Sequence, residues 1–255
     1  MMLHAGLVSI TFRQLEPARI VALAQEARLA SIEWGGDLHA PPGDERRARQ
    51  LASMTRDAGL QVSAYGSYYR LRDGAKEEAP FEAVLATALA LGAPVIRVWA
   101  GVAGPDATAP KEREAIVERA RRICAMAGAE RTRVHFEFHR NTLTETSAMA
   151  GLLLRQVDAA GVYWQPRNGW LPQENLLALE AVSPWLGNVH CFHWWPTSRD
   201  RLPLREGEAD WRLYLDRLAA LPGERQVSLE FVRDNSPEQF LRDAATLRAW
   251  LARYA

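Results

Sequence analysis

Thr132-Arg-Val-His-Phe-Glu-Phe-His139 is a short β-type run near the middle of a 255-residue chain, and its alternation governs how the flanking sequence is read. Val134, Phe136 and Phe138 fall on one face and His135, Glu137 and His139 on the other, with the period of two expected of a strand. Ionisable side chains are costly to bury unpaired, so a strand that aims three of them at one space needs a metal ion or opposing polar groups there. Immediately before the run, residues 111–129 carry an amphipathic helical pattern; after it, residues 144–160 carry another. Strand followed by helix is the unit to look for on both sides.

The unit recurs along the whole chain. Towards the N-terminus, β-type runs at 5–11, 31–34, 60–65 and 94–99 alternate with helical patterns that begin at Pro17, at Asp44 as an N-cap, and near Pro80, the last ending at Gly92. Towards the C-terminus, runs at 161–166, 187–192 and 226–232 are followed by helical patterns starting at Pro172, Asp210 and Pro237. Eight such pairs of about thirty residues, with no linker or composition break, predict one closed (β/α)8 TIM barrel domain over residues 1–255 rather than an open doubly wound sheet. No Gly-x-Gly-x-x-Gly turn follows the first strand: Thr11-Phe-Arg-Gln-Leu-Glu16 has none.

Composition narrows the function. Thirty-one basic and 31 acidic residues give a formal net charge of zero, which offers no electrostatic footprint for nucleic acid or an anionic membrane. Cys124 and Cys191 stand far apart, which excludes a Cys-rich zinc site and fits a reducing compartment. No apolar run approaches the roughly 18 residues of a membrane span, and the N-terminus lacks signal-peptide character, so a cytoplasmic protein is expected.

In a barrel of this kind the loops after the strands' C-terminal ends build the active site, so polar residues late in strands carry the information. A single parity places Ser9, Thr11, Glu33, Ser63, Tyr65, Arg97, Trp99, His135, Glu137, His139, Tyr163, Gln165, Asn188, His190, Ser228 and Glu230 on the inner face. Glu33 and Arg97 can pair as buried structural charges. Glu137, Gln165, His190 and Glu230 end four consecutive strands and can converge on one ion. Three oxygen donors and an imidazole suit Mn2+ first, then Mg2+, Co2+ or Zn2+. His139, His193, Arg199 and Arg201 are candidates to hydrogen-bond a ligand's polar groups or an anion, and Tyr65, Trp99, Trp194 and Trp195 to stack on a ligand face.

The chain resembles the xylose-isomerase-like TIM barrels, which include sugar phosphate isomerases/epimerases and the ketose 3-epimerases. The resemblance is carried by Ile32-Glu-Trp-Gly-Gly-Asp-Leu-His39, Ile96-Arg-Val-Trp-Ala-Gly101, Phe136-Glu-Phe-His139 with Leu143-Thr-Glu-Thr146, Trp164-Gln-Pro166, Asn188-Val-His190, Arg201-Leu-Pro-Leu-Arg-Glu-Gly207 with Trp211, and Leu229-Glu-Phe-Val232. It implies that Glu137, His190 and Glu230 bind one divalent ion, with Gln165 where the ketose 3-epimerases have Asp, and that the two Glu residues handle the proton. Asn168 stands where those epimerases carry a His. The activity implied is a metal-dependent sugar isomerase or epimerase. It would abstract a proton beside a carbonyl, with the enediolate stabilised by the ion and a second carboxylate returning the proton. Homodimers or homotetramers are common among such relatives. Two other readings remain at this stage: an apurinic-endonuclease-type phosphodiesterase, which the neutral charge and scarcity of ligands disfavour, and a non-catalytic carbohydrate-binding relative in which Gln165 records a lost metal.

Overall fold

Four of the eight helices start with proline in the first turn, where the missing N–H removes a donor that no turn could satisfy: Pro17, Pro110, Pro172 and Pro237. Others are capped by side chains: Asp44 accepts from the Arg47 N–H, and Thr146 from the Met149 N–H. The computed structural model describes residues 2–72 and 79–254. Strands β1 (Met2–Val8), β2 (Ser31–Gly35), β3 (Gln61–Arg70), β4 (Val95–Trp99), β5 (Arg133–Glu137), β6 (Gly161–Trp164), β7 (Leu186–Cys191) and β8 (Glu224–Leu229) are all parallel to their neighbours. They close into a barrel in sequence order, with β8 paired to β1. Helices α1 (Pro17–Glu26), α2 (Glu45–Asp57), α3 (Phe81–Leu91), α4 (Pro110–Ala129), α5 (Ser147–Leu154), α6 (Pro172–Val182), α7 (Glu208–Ala219) and α8 (Pro237–Leu251) alternate with them. This is the (β/α)8 barrel that the alternating pattern predicts.

The large apolar core lies between sheet and helices. Ile32, Trp34, Val98, Phe136, Trp164, Val189 and Leu229 face outward into it from the strands. Trp34 donates its indole N–H to Thr55 Oγ1 at 3.0 Å, and Trp211 donates to the Phe192 carbonyl at 2.8 Å, so these two buried rings keep their polar atoms satisfied. A much smaller cluster of Ala64, Val95 and Tyr163 lies apart from this core. Cys124 and Cys191 are both free and buried. Among the described residues no helix is long and apolar enough to cross a membrane.

One strand departs from the expected parity. Between β2 and β3 the register shifts: Ile32 pairs with Val62, but Glu33 pairs with Ala64, so Ser63 is an extra residue. A one-residue slip exchanges the two faces. Ala64 joins the Val95 and Tyr163 cluster, while Tyr65 turns outward into the helix layer. Strand β3 also runs five residues further than expected, to Arg70, which carries Tyr68 to the mouth.

Candidate metal and substrate site

The inward residues at the C-terminal ends of β2, β4, β5, β7 and β8 form one connected polar centre. Arg97, on β4, donates from Nε to Glu33 Oε1 at 2.7 Å and from Nη1 to Glu137 Oε2. Trp99, two residues on, donates its indole N–H to the same Glu137 oxygen. His190, on β7, sets Nε2 3.3 Å from Glu33 Oε2. Its Nδ1 faces three oxygens: Gln165 Oε1 at 3.3 Å, Glu230 Oε2 at 3.7 Å and Glu137 Oε1 at 3.9 Å. Gln165 also donates from Nε2 to Glu137 Oε1 at 3.2 Å. Arg97, Glu33, Glu137, His190 and Glu230 are all buried.

Burial raises a carboxylate's pKa unless a cation answers it, and the three carboxylates differ in that respect. Glu33 is held down to about 2: burial alone would lift it, and Arg97 and His190 overcome that effect. Glu137 also lies below the ordinary range, burial again being outweighed by Arg97 and then by the two histidines. Glu230 is raised, since burial and the neighbouring Glu137 outweigh the pull of His190. His190 is raised as well: burial opposes its charge, but Glu230 and Glu33 favour it.

Above this centre a cavity of ≈ 410 Å³ opens between the loops after β5, β6 and β7. Phe138, Phe192 and Trp194 supply its apolar wall, and Gln165 joins it to the carboxylates. His139 lines it too, its ring stacked on Trp99 with centroids 4.7 Å apart and its Nδ1 2.6 Å from the Arg140 carbonyl. Glu137, Gln165, His190, Glu230, Trp99 and His139 are therefore brought together.

The other candidate recognition residues lie elsewhere. Tyr65 is fully buried and donates its hydroxyl to the Ala40 carbonyl at 2.8 Å; the extra residue at Ser63 has put it on the wrong face for a ligand, which corrects the expectation from parity. His193 packs against Gly207 and lines a separate small cavity with Asp210 and Trp211, apart from the carboxylates. Arg199 is exposed in the loop after β7 and lines neither cavity. Arg201 is committed to Asn235 Oδ1 at 2.6 Å and to the Phe231 ring.

A family model described as xylose isomerase-like TIM barrel matches residues 21–253. The chain belongs to that family. No curated protein sequence matches it. Among solved structures, this xylose isomerase-like barrel is similar to the probable 3-DHS dehydratase AsbF of Bacillus anthracis. Identity is 20%, with 97% of this chain and 99% of that one covered and a TM-score of 0.78. It is also similar to D-psicose 3-epimerase from Clostridium cellulolyticum H10, solved with D-tagatose, at 14% identity, 98% coverage of both chains and a TM-score of 0.69. A third is a xylose isomerase-like TIM barrel protein from Mycobacterium smegmatis in complex with magnesium, at 15% identity, 98% and 97% coverage and a TM-score of 0.69. At these identities the likeness establishes the fold; the chemistry rests on the residues.

The residues of this xylose isomerase-like barrel fit a divalent ion. Glu137, His190 and Glu230 each offer a ligand atom, all within 4.8 Å of one another. With Nε2 donating to Glu33, the lone pair on His190 Nδ1 points at three oxygens, an arrangement that repels itself unless a cation or a proton lies between. A carboxylate behind a ligating imidazole is the common way to fix its tautomer and strengthen it as a donor. Gln165 Oε1 is on the same side and can serve as a neutral fourth donor.

Sequence reading left the role of Glu33 open and missed Tyr68 altogether. Tyr68 stands at the mouth with its hydroxyl 2.8 Å from Arg13 Nη2 and its ring under the Arg97 guanidinium. No spacing signal marks Tyr68, because the extra residue in β3 breaks the count from Ser63 onward.

Proposed function

We propose that this protein is a metal-dependent isomerase or epimerase of sugars or sugar derivatives, acting by removal of a proton from carbon next to a carbonyl. The convergence of Glu137, His190 and Glu230 within 4.8 Å, next to Gln165, which also lines a cavity of small-molecule size, carries this reading. Glu137, His190, Glu230 and Gln165 would hold one divalent ion, Mn2+ first among those their hard donors suit. When bound, the ion supplies electrostatic stabilisation of the enediolate's negative charge. Glu137 and Glu230 come from strands on opposite sides of His190. One takes the proton, and the other returns one, to the same carbon for epimerisation or to its neighbour for aldose–ketose isomerisation. Arg97 and Trp99 hold Glu137 by Oε2, which leaves Oε1 directed at the centre. His139 offers its ring to the substrate from the cavity wall, and Trp99, stacked on it, backs that ring. Cytoplasmic location and a homo-oligomeric state belong to the same proposal.

Deuterium exchange from solvent into a panel of ketoses, followed by NMR with and without chelator, tests this. About one metal per chain and exchange that chelator abolishes are expected, and Glu137→Gln and Glu230→Gln should each remove exchange. Full exchange in either variant would overturn the proton-transfer assignment. Dehydration of a β-hydroxy carbonyl compound begins with the same proton removal, so product analysis after exchange separates elimination from isomerisation.

A further inference from the structure

We infer that the cavity beside Gln165 is an anion subsite and that the substrate is a hydroxy-carbonyl compound bearing a carboxylate or phosphate group, held between Arg167 and Arg140. This rests on the proposed function for the position of the reacting carbon, and on separate observations for the anion.

The mouth of the barrel is asymmetric. Over β1, β2 and β8, Arg13 and Arg201 both lie on the Phe231 ring, at 5.1 and 4.4 Å from its centroid. Arg13 is neutralised by Asp37, Nε to Oδ2 at 2.8 Å, and Arg201 is tied to Asn235. Neither of them lines the cavity. The open side lies over β5, β6 and β7, where Arg140 and Arg167 line the cavity.

Neither of these two charges is answered by a carboxylate. Arg167 is half-buried, its Cζ lies over the Trp170 ring at 4.8 Å from the centroid, and its Nη1 donates at 3.3 Å to the Glu145 carbonyl, a neutral partner. Arg140 makes no side-chain hydrogen bond or ion pair among the described residues. Glu145 is the one acid on this wall among the described residues. Its carboxylate accepts from the Asn141 N–H at 2.7 Å and packs against Gly104.

A guanidinium held over an aromatic ring and by one carbonyl, with donors unclaimed by any acid, is preorganised to clamp a planar or tetrahedral oxyanion. At the deep end Glu33, Glu137 and Glu230 already answer Arg97, His190 and the proposed cation, so no unpaired positive charge there competes for an acid group. A substrate with an acidic group is therefore oriented by charge. Its acid end stays at the Arg140 and Arg167 rim, and its uncharged carbonyl end passes Gln165 to reach Glu137 and Glu230.

Titration calorimetry at low salt with D-fructose, D-fructose 6-phosphate and 2-keto-D-gluconate tests this, the last two separating phosphate from carboxylate. At least one acidic compound is expected to bind roughly tenfold or more tighter than D-fructose, the worth of one charge-assisted hydrogen bond. Arg167→Gln and Arg140→Gln should each bring the ratio towards one. Equal affinities, a preference that survives both replacements, or binding of none of the three would overturn the subsite. Deuterium exchange run on the same compounds keeps the two readings apart. Preference without exchange sinks the proton-transfer reading and leaves the subsite, and exchange without preference does the reverse.

Discussion

Replacing Arg97 by Met would leave the buried carboxylates of Glu33 and Glu137 without the guanidinium they share, and breaking a buried ion pair from one side typically costs about 3–5 kcal/mol. Urea unfolding of Arg97→Met should show a loss of that size; a midpoint equal to wild type would mean the pair is energetically idle. Glu33→Gln keeps the shape and removes the negative charge behind His190. Mn2+ affinity measured by calorimetry should then fall by roughly tenfold or more, as for other residues that orient a ligating histidine. His39 gives a pH effect remote from the centre. Burial, the largest influence, lowers its pKa from the ordinary 6.5; Asp37 opposes the shift and Arg47 adds to it. Below that ordinary value the unfolded chain binds a proton that the folded one refuses, so stability contributed here is present above pH 6.5 and drains as pH falls. His39→Gln should flatten the acid limb of stability against pH, and an unchanged limb would rule His39 out as its source.

At the scale of elements, three neighbouring strands fit round one ring. A Cβ on Gly161 of β6 would lie 2.4 Å from the His135 ring of β5, and one on Gly187 of β7 only 2.2 Å from it. Neither strand can take a side chain there while His135 stays. Gly161→Ala and Gly187→Ala should each destabilise by about 1–3 kcal/mol through overpacking. Combining either with His135→Ala should return part of the loss, a coupling that a double-mutant cycle in thermal unfolding reads directly; strict additivity would contradict the fit. The same scale explains what was legible. In β5 the alternation of Val134, His135, Phe136 and Glu137 held, because that strand pairs in unbroken register with both neighbours. In β3 it failed after one inserted residue, and nothing in the composition of Val62-Ser-Ala-Tyr65 announces the insertion.

For the whole molecule, a ligand that binds the folded chain alone stabilises it by mass action. Mn2+ at about 100 times its dissociation constant should add about 2.7 kcal/mol. For a chain of this length that is a rise in Tm of roughly 5–10 °C. Calorimetric melts should show the rise in wild type, a smaller one in Glu230→Gln and a larger one in Gln165→Asp, which adds a third carboxylate to the donor set. Equal melts with and without metal would remove the cation from the reading of this barrel.

The eight alternating units and their polar strand ends, Glu137, Gln165, His190 and Glu230 among them, were present in the sequence, because a strand's period and a parallel barrel's order are local properties repeated along the chain. Which polar residues meet was decided only when the barrel closed. Closure brought Glu33 of β2 against His190 of β7, 157 positions away, and spread Arg97 between two carboxylates. It turned Tyr65 out and left Arg140 and Arg167 facing the open side of the mouth. Distances across a closed sheet depend on every register between two strands at once, and one inserted residue in β3 was enough to exchange the faces of Ala64 and Tyr65.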